Sequence, residues 1–311
     1  MKSFLLDYLI CPACLPKELP LILQAFEIHG DDVLIGVIKC AYCGASYRIE
    51  EGIAILHPDP NWTPSSNKYE TPKVVSSYLW SHYGDGLNDS EWIDAYRGWV
   101  NLIEDCEGPS LDIGCATGRF TFEMTAKSSF SVGIDLSFSF IRTSRRLMQE
   151  RSVTFELIEE GEITTPVEII LPNHLKTENL EFVVADAMRL PLRRELFECV
   201  ASLNIIDKLP NPLLHLEEMS RVAKSTKAQF LLSDPYSWSE EVTDSNNWLG
   251  GKKQGEFRGF GEDNVAKLIE GWGNKISPTW KITHKGIQLW KIRNHRNHYE
   301  FIKSRYLRAF R

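Results

Sequence analysis

Four cysteines near the start of the chain have the spacing of a metal site. Cys11 and Cys14 form one C-x-x-C pair, and Cys40 and Cys43 form a second. Two thiolates on a tight turn can bind one side of a tetrahedral zinc ion, and two such turns complete a site of four sulfurs. Because a closed four-thiolate site has no open coordination position, we expect a structural zinc that folds the segment and does not catalyse.

Two other interpretations of these four cysteines stay open at this point. They could form a redox-active C-x-x-C pair, or they could be core cysteines that bind no metal. The total of seven cysteines is odd, and no secretion signal precedes them, which argues against a disulfide framework. The segment between the two pairs predicts two strands, at residues 19–28 and 32–38, joined by a turn.

A second motif predicts a nucleoside-binding unit. Residues 109–120 predict a short buried strand, a turn that contains Gly114 and Gly118, and the start of a helix. The next predicted strand ends at Asp135, where an acidic side chain can accept hydrogen bonds from ribose hydroxyls. The dinucleotide pattern G-x-G-x-x-G is absent, because Asp112 stands where its first glycine would be.

The pattern D-x-G-x-x-x-G instead resembles motif I of class I S-adenosylmethionine-dependent methyltransferases. Three further segments resemble the third, fourth and fifth strands of that family: residues 182–187, 197–204 and 229–234. A helix at 263–272 and a closing hairpin of 279–284 with 287–293 are expected to complete the plan. The resemblance implies an α/β, Rossmann-like, seven-stranded domain that uses S-adenosylmethionine.

The family's cofactor contacts carry over onto matching positions of this sequence. Tyr83 is expected to reach the methionine carboxylate, Asp135 the ribose, and Asp186 the adenine amine. The full set of expected cofactor-binding residues is Tyr83, Asp112, Gly114, Cys115, Ala116, Gly118, Asp135, Leu136, Asp186, Ala187 and Asn204.

The N-terminal segment carries a resemblance of its own. Residues 47–56, together with residues 5–14, resemble the small Trm112-like zinc ribbons, which often bind or are fused to methyltransferases. We therefore expect a ribbon at 1–57, a proline-rich linker at 58–72 and the methyltransferase domain at 73–311. An insert at about 155–180 is expected to form an added hairpin or lid.

Several phrases resemble one subfamily, the C-terminal methyltransferase domain of ovothiol synthase. The most specific are Asp234-Pro235-Tyr236-Ser237-Trp238 and Trp248-Leu249-Gly250-Gly251. The resemblance implies N-methylation of the imidazole of a histidine-derived small molecule, thiohistidine or selenohistidine. The iron-dependent, sulfur-inserting portion of that enzyme has no counterpart here, so another acceptor stays open.

Residues beyond the fourth and fifth predicted strands are the candidates for chemistry. Asn204, Asp207 and Tyr236 are the expected catalytic residues, because an amide or carboxylate can select an imidazole tautomer. The expected substrate-binding residues are Trp238, Trp248 and Arg293. Turn capping, core packing and surface exposure are the ordinary alternatives for these side chains.

Composition limits the function classes. The chain has 311 residues, 43% of them hydrophobic, and no apolar stretch of membrane-spanning length, so we expect a cytoplasmic protein. Its formal net charge of −7 disfavours nucleic-acid binding, although the tail at 291–311 is basic and predicts either a docking patch or a solvated helix. The alternatives are an RNA or protein methyltransferase that docks through the ribbon, and a non-catalytic binding protein of the same fold.

Overall fold

The computed structural model describes residues 1–64, 68–87 and 89–311. The first strands form an antiparallel sheet in chain order: β1 (Ile22–His29), β2 (Asp32–Lys39), β3 (Ser46–Glu50) and β4 (Ile53–Leu56). The first two are the strands predicted between the cysteine pairs.

The described residues after β4 form nine further strands: β5 (Ser110–Ile113), β6 (Ser131–Asp135), β7 (Ser152–Glu160), β8 (Ile163–Ile170), β9 (Leu180–Ala185), β10 (Cys199–Leu203), β11 (Gln229–Asp234), β12 (Lys281–His295) and β13 (His298–Phe310). Strands β7 and β8 pair with each other as a separate two-stranded sheet, and the other seven belong to the central sheet. The order β9-β6-β5-β10-β11-β13-β12 gives seven strands, of which β13 is antiparallel to its neighbours. This confirms the predicted Rossmann-like fold.

Six α-helices are present in the described part of the chain. They are α1 (Pro72–Tyr83), α2 (Ala95–Val100), α3 (Arg119–Met124), α4 (Phe138–Glu150), α5 (Pro212–Val222) and α6 (Gly261–Ile269). Ser137 and Asn211 cap α4 and α5 by accepting a backbone N–H of the first turn, which fixes where each helix starts. Among the described residues, no helix is both long and apolar enough to cross a membrane.

The C-terminal prediction was wrong. Residues predicted as a closing hairpin, 279–284 with 287–293, form the single strand β12, and the basic tail forms β13 between β11 and β12. Lys303 and Arg305 are exposed on β13. Their charged ends reach solvent while their backbone completes the sheet, so the strand lacks the apolar alternation by which strands are recognised.

The N-terminal strands continue the central sheet. β4 pairs in parallel with β9, with Ile55 opposite Val184 and Leu56 opposite Ala185, so the described strands form one eleven-stranded sheet. Leu56 also shares one buried apolar cluster with residues of the larger domain. The division at 57 and the linker at 58–72 stay predictions; residues 65–67 of that linker lie outside the described part of the chain.

A buried arginine joins the two segments electrostatically. Arg145 of α4, 2% exposed, forms an ion pair with Glu181 of β9 and places its second nitrogen 2.6 Å from Asp32 of β2. Glu181 is fully buried, and removing the guanidinium would leave its carboxylate with the backbone N–H groups of Lys2 and Phe182 but without its ion-pair partner. Removal of one partner of a buried ion pair is strongly destabilising.

We predict that Arg145→Ala lowers the free energy of unfolding by about 3 kcal/mol, measured by urea denaturation. Arg146→Ala is the matched control, because the Arg146–Glu150 pair is half-exposed on the same helix and should change stability by about 0.5 kcal/mol at most. Equal, small effects of both substitutions would contradict the structural role of Arg145.

Candidate functional site

A cavity of about 290 Å³ opens where the parallel strands β5, β6, β9 and β10 end. The strand order reverses at β5, which has β6 on one side and β10 on the other, and ligands of open α/β sheets bind at such a point. Nine predicted cofactor-binding residues line this cavity: Asp112, Gly114, Cys115, Ala116, Asp135, Leu136, Asp186, Ala187 and Asn204.

Two glycines shape the turn that follows β5. Gly114 has a φ of 76°, and a Cβ atom there would lie 2.5 Å from Ile205. Gly118, which does not line the cavity, has a φ of 85° and is the N-cap of α3. Both glycines are therefore needed to turn the backbone sharply at the cavity wall.

Carboxylates stand at the ends of three of these strands. Asp135 accepts hydrogen bonds from the backbone N–H groups of Ala116, at 3.0 Å, and Ser137, at 2.8 Å. Its burial raises the pKa to about 6. Asp112 accepts from the Thr121 hydroxyl at 2.7 Å, and burial raises its pKa to about 7. Both pKa values lie close to neutrality, as is common at functional sites.

Aromatic rings form another part of the cavity lining, here called the aromatic wall, and they were not predicted. Its rings belong to the turn before α1, to α1, α2, α3 and α4, and to β12. They are Tyr69, Tyr78, His82, Tyr96, Phe120, Phe140 and Trp290. The spacing of Tyr78 and His82, four residues apart on α1, was the available signal, because it places both on one helix face.

The ribbon segment also contributes to this site. His57 follows β4 directly and lines the cavity, and its ring stacks on Trp62 with centroids 4.9 Å apart. Because β4 pairs with β9, the ribbon brings this side chain to the edge of the sheet where Asp186 lies.

Among the predicted catalytic residues, Asn204 alone lines the cavity. Its backbone has a φ of 61°, a strained conformation for a residue with a side chain. The Ser304 hydroxyl of β13 donates to Asn204 Oδ1 at 2.6 Å. The polar function that Asn204 can offer a ligand is therefore its amide N–H₂.

Asp207 and Tyr236 are placed elsewhere. Asp207 is fully buried, accepts from the Ser237 backbone N–H at 2.7 Å and lies 3.1 Å from Lys208 Nζ. Tyr236, with a φ of 54°, packs its ring against Gly261 at the start of α6. Neither lines the cavity, so catalytic roles for both residues stay predictions that this geometry does not support.

The predicted substrate residues also lie outside the cavity lining. Trp238 stacks on Trp248 with centroids 6.4 Å apart, and Trp248 lines a separate, open surface groove. Arg293 of β12 pairs with Glu159 of β7 at 2.9 Å and so holds the β7–β8 hairpin. Tyr83 donates its hydroxyl hydrogen to Thr117 O at 2.7 Å, which supports the glycine turn from behind.

The four N-terminal cysteines converge as predicted. Their sulfur atoms all lie within 4.8 Å of one another, with Cys11 Sγ 3.7 Å from Cys43 Sγ and Cys14 Sγ 3.9 Å from Cys40 Sγ. Zinc–sulfur bonds of about 2.3 Å in a tetrahedron place the sulfurs about 3.8 Å apart. The arrangement thus fits a zinc ion and is too wide for disulfides, which join sulfurs at about 2.05 Å.

A comparison with protein families assigns a domain to part of the chain. Residues 111–228 match a family model described as a methyltransferase domain. Together with the strand order, this match shows that the chain carries a class I S-adenosylmethionine-dependent methyltransferase domain. A search of the curated proteins found no match.

Solved structures resemble the chain at low sequence identity. One is a chain from the complex between the Haloferax volcanii Trm112 methyltransferase activator and a methyltransferase. It is 15% identical, with a TM-score of 0.45, and the match covers 75% of this chain and 96% of that one. A SAM-dependent methyltransferase from Aquifex aeolicus is 14% identical, with a TM-score of 0.40. The match covers 80% of this chain and 98% of that one. The Trm112-like and ovothiol-synthase resemblances stay predictions.

We predict that Cys40→Ser lowers both the zinc content and the melting temperature of the purified protein, because it removes one of four ligands. Cys106→Ser is the matched control, since Cys106 lies outside the cluster and should keep both values. Full zinc retention with an unchanged melting curve in Cys40→Ser would refute the structural zinc site. Zinc is measured by plasma mass spectrometry.

We predict that S-adenosylhomocysteine binds more weakly as the pH falls from 8 to 5. The Asp135 carboxylate accepts hydrogen bonds, and it is protonated below its pKa of about 6. Asp135→Asn should weaken S-adenosylhomocysteine binding about tenfold at pH 8. It should also remove the part of the pH dependence that comes from protonation of Asp135. Titration calorimetry gives both values.

The exposed Asp105 provides the control for that substitution, and Asp105→Asn should bind like the unmodified protein at every pH. A pH profile of Asp135→Asn that superimposes on the unmodified profile would exclude Asp135 as the titrating ligand.

Proposed function

We propose that this enzyme methylates an imidazole nitrogen of a histidine-derived small molecule, thiohistidine or selenohistidine, with S-adenosylmethionine as the methyl donor. The proposal is supported by the aromatic rings that share one cavity with the predicted cofactor residues. Rings from six separate elements line this cavity of about 290 Å³, and flat apolar surfaces of this kind suit a small planar acceptor. The imidazole itself is taken from the resemblance to ovothiol synthase.

Methyl transfer to an imidazole depends more on the position of the attacking nitrogen than on a strong acid or base in the protein. The lone pair of a neutral imidazole nitrogen attacks the methyl carbon, and the carbon–sulfur bond breaks with its electron pair on sulfur. The other ring nitrogen loses its proton after transfer, so no strong base is needed. The protein must hold the nucleophile in line and exclude water. The buried rings of Tyr96 and Trp290 and the partly buried ring of Tyr78 serve both needs.

The basic tail gives little support to an RNA acceptor. Four of its cationic side chains are already in ion pairs: Lys291 with Glu91, Arg293 with Glu159, Arg305 with Glu262, and Arg308 with Glu104. Arg311 donates to the backbone oxygens of Ala223 and Lys224, both at 2.6 Å. These five side chains hold β12 and β13 in the fold. Of the tail's seven cationic side chains, Arg296 and Lys303 form no ion pair with the described residues, which leaves two for phosphate contacts.

We predict that the protein transfers one methyl group to the imidazole of 5-thiohistidine or 5-selenohistidine when incubated with S-adenosylmethionine. Histidine and total RNA are incubated separately, and the products are identified by mass spectrometry. Asp135→Asn is the control for cofactor dependence and should slow product formation. Methylation of RNA alone would overturn the proposal and favour an acceptor that docks on the ribbon.

A further inference from the structure

A chain of buried hydrogen bonds leads into the cavity from α3. The backbone N–H of Arg119 donates to His82 Nδ1 at 3.3 Å, and His82 Nε2 lies 2.5 Å from the Tyr96 hydroxyl. His82 and Tyr96 are both buried and both line the cavity. The directions of these two hydrogen bonds follow from the chemistry of imidazole.

His82 must donate to Tyr96. Its Nδ1 accepts from a backbone N–H and therefore presents a lone pair, so the single hydrogen of the neutral ring is on Nε2. A charged imidazolium would carry a second hydrogen on Nδ1, pointing at the Arg119 N–H. Burial, with the Arg119 charge as a smaller cause, also holds the pKa of His82 well below its usual value.

Arg119 is fixed in place by its own side chain. The guanidinium donates to His82 O and pairs with Asp85 at 3.0 Å and with Glu123 at 2.9 Å. Because these contacts tie α1 to α3, the imidazole of His82 has one orientation, and the tautomer follows from it.

The hydroxyl of Tyr96 is consequently a directed donor. Its oxygen accepts from His82, and in the described part of the chain it has no second hydrogen-bond partner. Burial raises the pKa of Tyr96 well above its usual value, so the phenol keeps its hydrogen. Tyr96 can thus donate to a ligand in the cavity but cannot act as a base at neutral pH.

An imidazole acceptor limits what Tyr96 can contact. The attacked nitrogen must keep its lone pair for the methyl group, and the other nitrogen carries a hydrogen. On the ring, the atom left to accept a hydrogen bond is the exocyclic sulfur or selenium. The amino-acid carboxylate is better matched to Lys208, the single lysine or arginine among the described residues that line the cavity.

We propose that Tyr96, oriented by His82, donates a hydrogen bond to the exocyclic sulfur or selenium of the acceptor and so selects it over histidine. This inference rests on the proposed function. In it, Tyr96 is a substrate-binding residue and His82 a positioning residue.

Calorimetry with the protein saturated with S-adenosylhomocysteine tests this role, with 5-thiohistidine and histidine as separate probes. Tyr96→Phe is expected to weaken 5-thiohistidine binding about ten- to a hundredfold and to leave histidine binding unchanged. Tyr299→Phe, which removes a hydroxyl outside the cavity, should leave both affinities unchanged.

The role of His82 is tested by the ratio of the affinity for 5-thiohistidine to the affinity for histidine. His82→Gln can keep both hydrogen bonds through its amide and should retain part of the preference for 5-thiohistidine, whereas His82→Leu should abolish it. If Tyr96→Phe does not fold, the double variant His82→Leu with Tyr96→Phe avoids the unpaired imidazole N–H and is measured instead.

Three results overturn the inference. An equal loss for both probes would mean that Tyr96 acts through packing. Weaker S-adenosylhomocysteine binding with unchanged 5-thiohistidine binding would assign the hydroxyl to the cofactor. No binding or methylation of 5-thiohistidine by the unmodified protein would refute the proposed function itself, a failure distinguishable because it precedes any substitution.

Discussion

The site depends on the parallel direction of the central strands, which end at one common edge of the sheet. Strands β5, β6, β9 and β10 run in one direction, so their last residues and the loops after them meet on one side of the sheet. The reversal at β5 separates the loops and leaves an opening between them. Asp112, Asp135 and Asp186 reach that opening because each stands at or just after the end of its strand.

The N-terminal strands are joined to the same sheet through the backbone pairing of β4 with β9. β4 extends the sheet beyond β9, and Arg145 joins β2 to the charge of Glu181 on β9. A zinc ion held by the four cysteines would stabilise the strands that lead to His57 in the cavity lining. It would act through the position of β4, because none of the four cysteines lines the cavity.

The residues that the family resemblance names for the cofactor follow short-range features, the glycine turn and the acids near strand ends. Nine of them line one cavity, and their binding of the cofactor stays a prediction. The aromatic wall could not be predicted, because Tyr78, Tyr96 and Trp290 meet only after α1, α2 and β12 pack together. The same strand-end reasoning misplaced Tyr236, since Asp234 accepts its backbone N–H and its ring packs on Gly261.

A crystal structure of the protein with S-adenosylhomocysteine tests most directly whether the cavity holds the methyl donor with its reactive end toward the aromatic wall. We predict that the ribose hydroxyls lie at Asp135, the adenine lies beside Asp186 and Ala187, and the sulfur faces Tyr78 and Tyr96. A ribose away from Asp135, or a sulfur that faces the surface groove at Trp248, would contradict it.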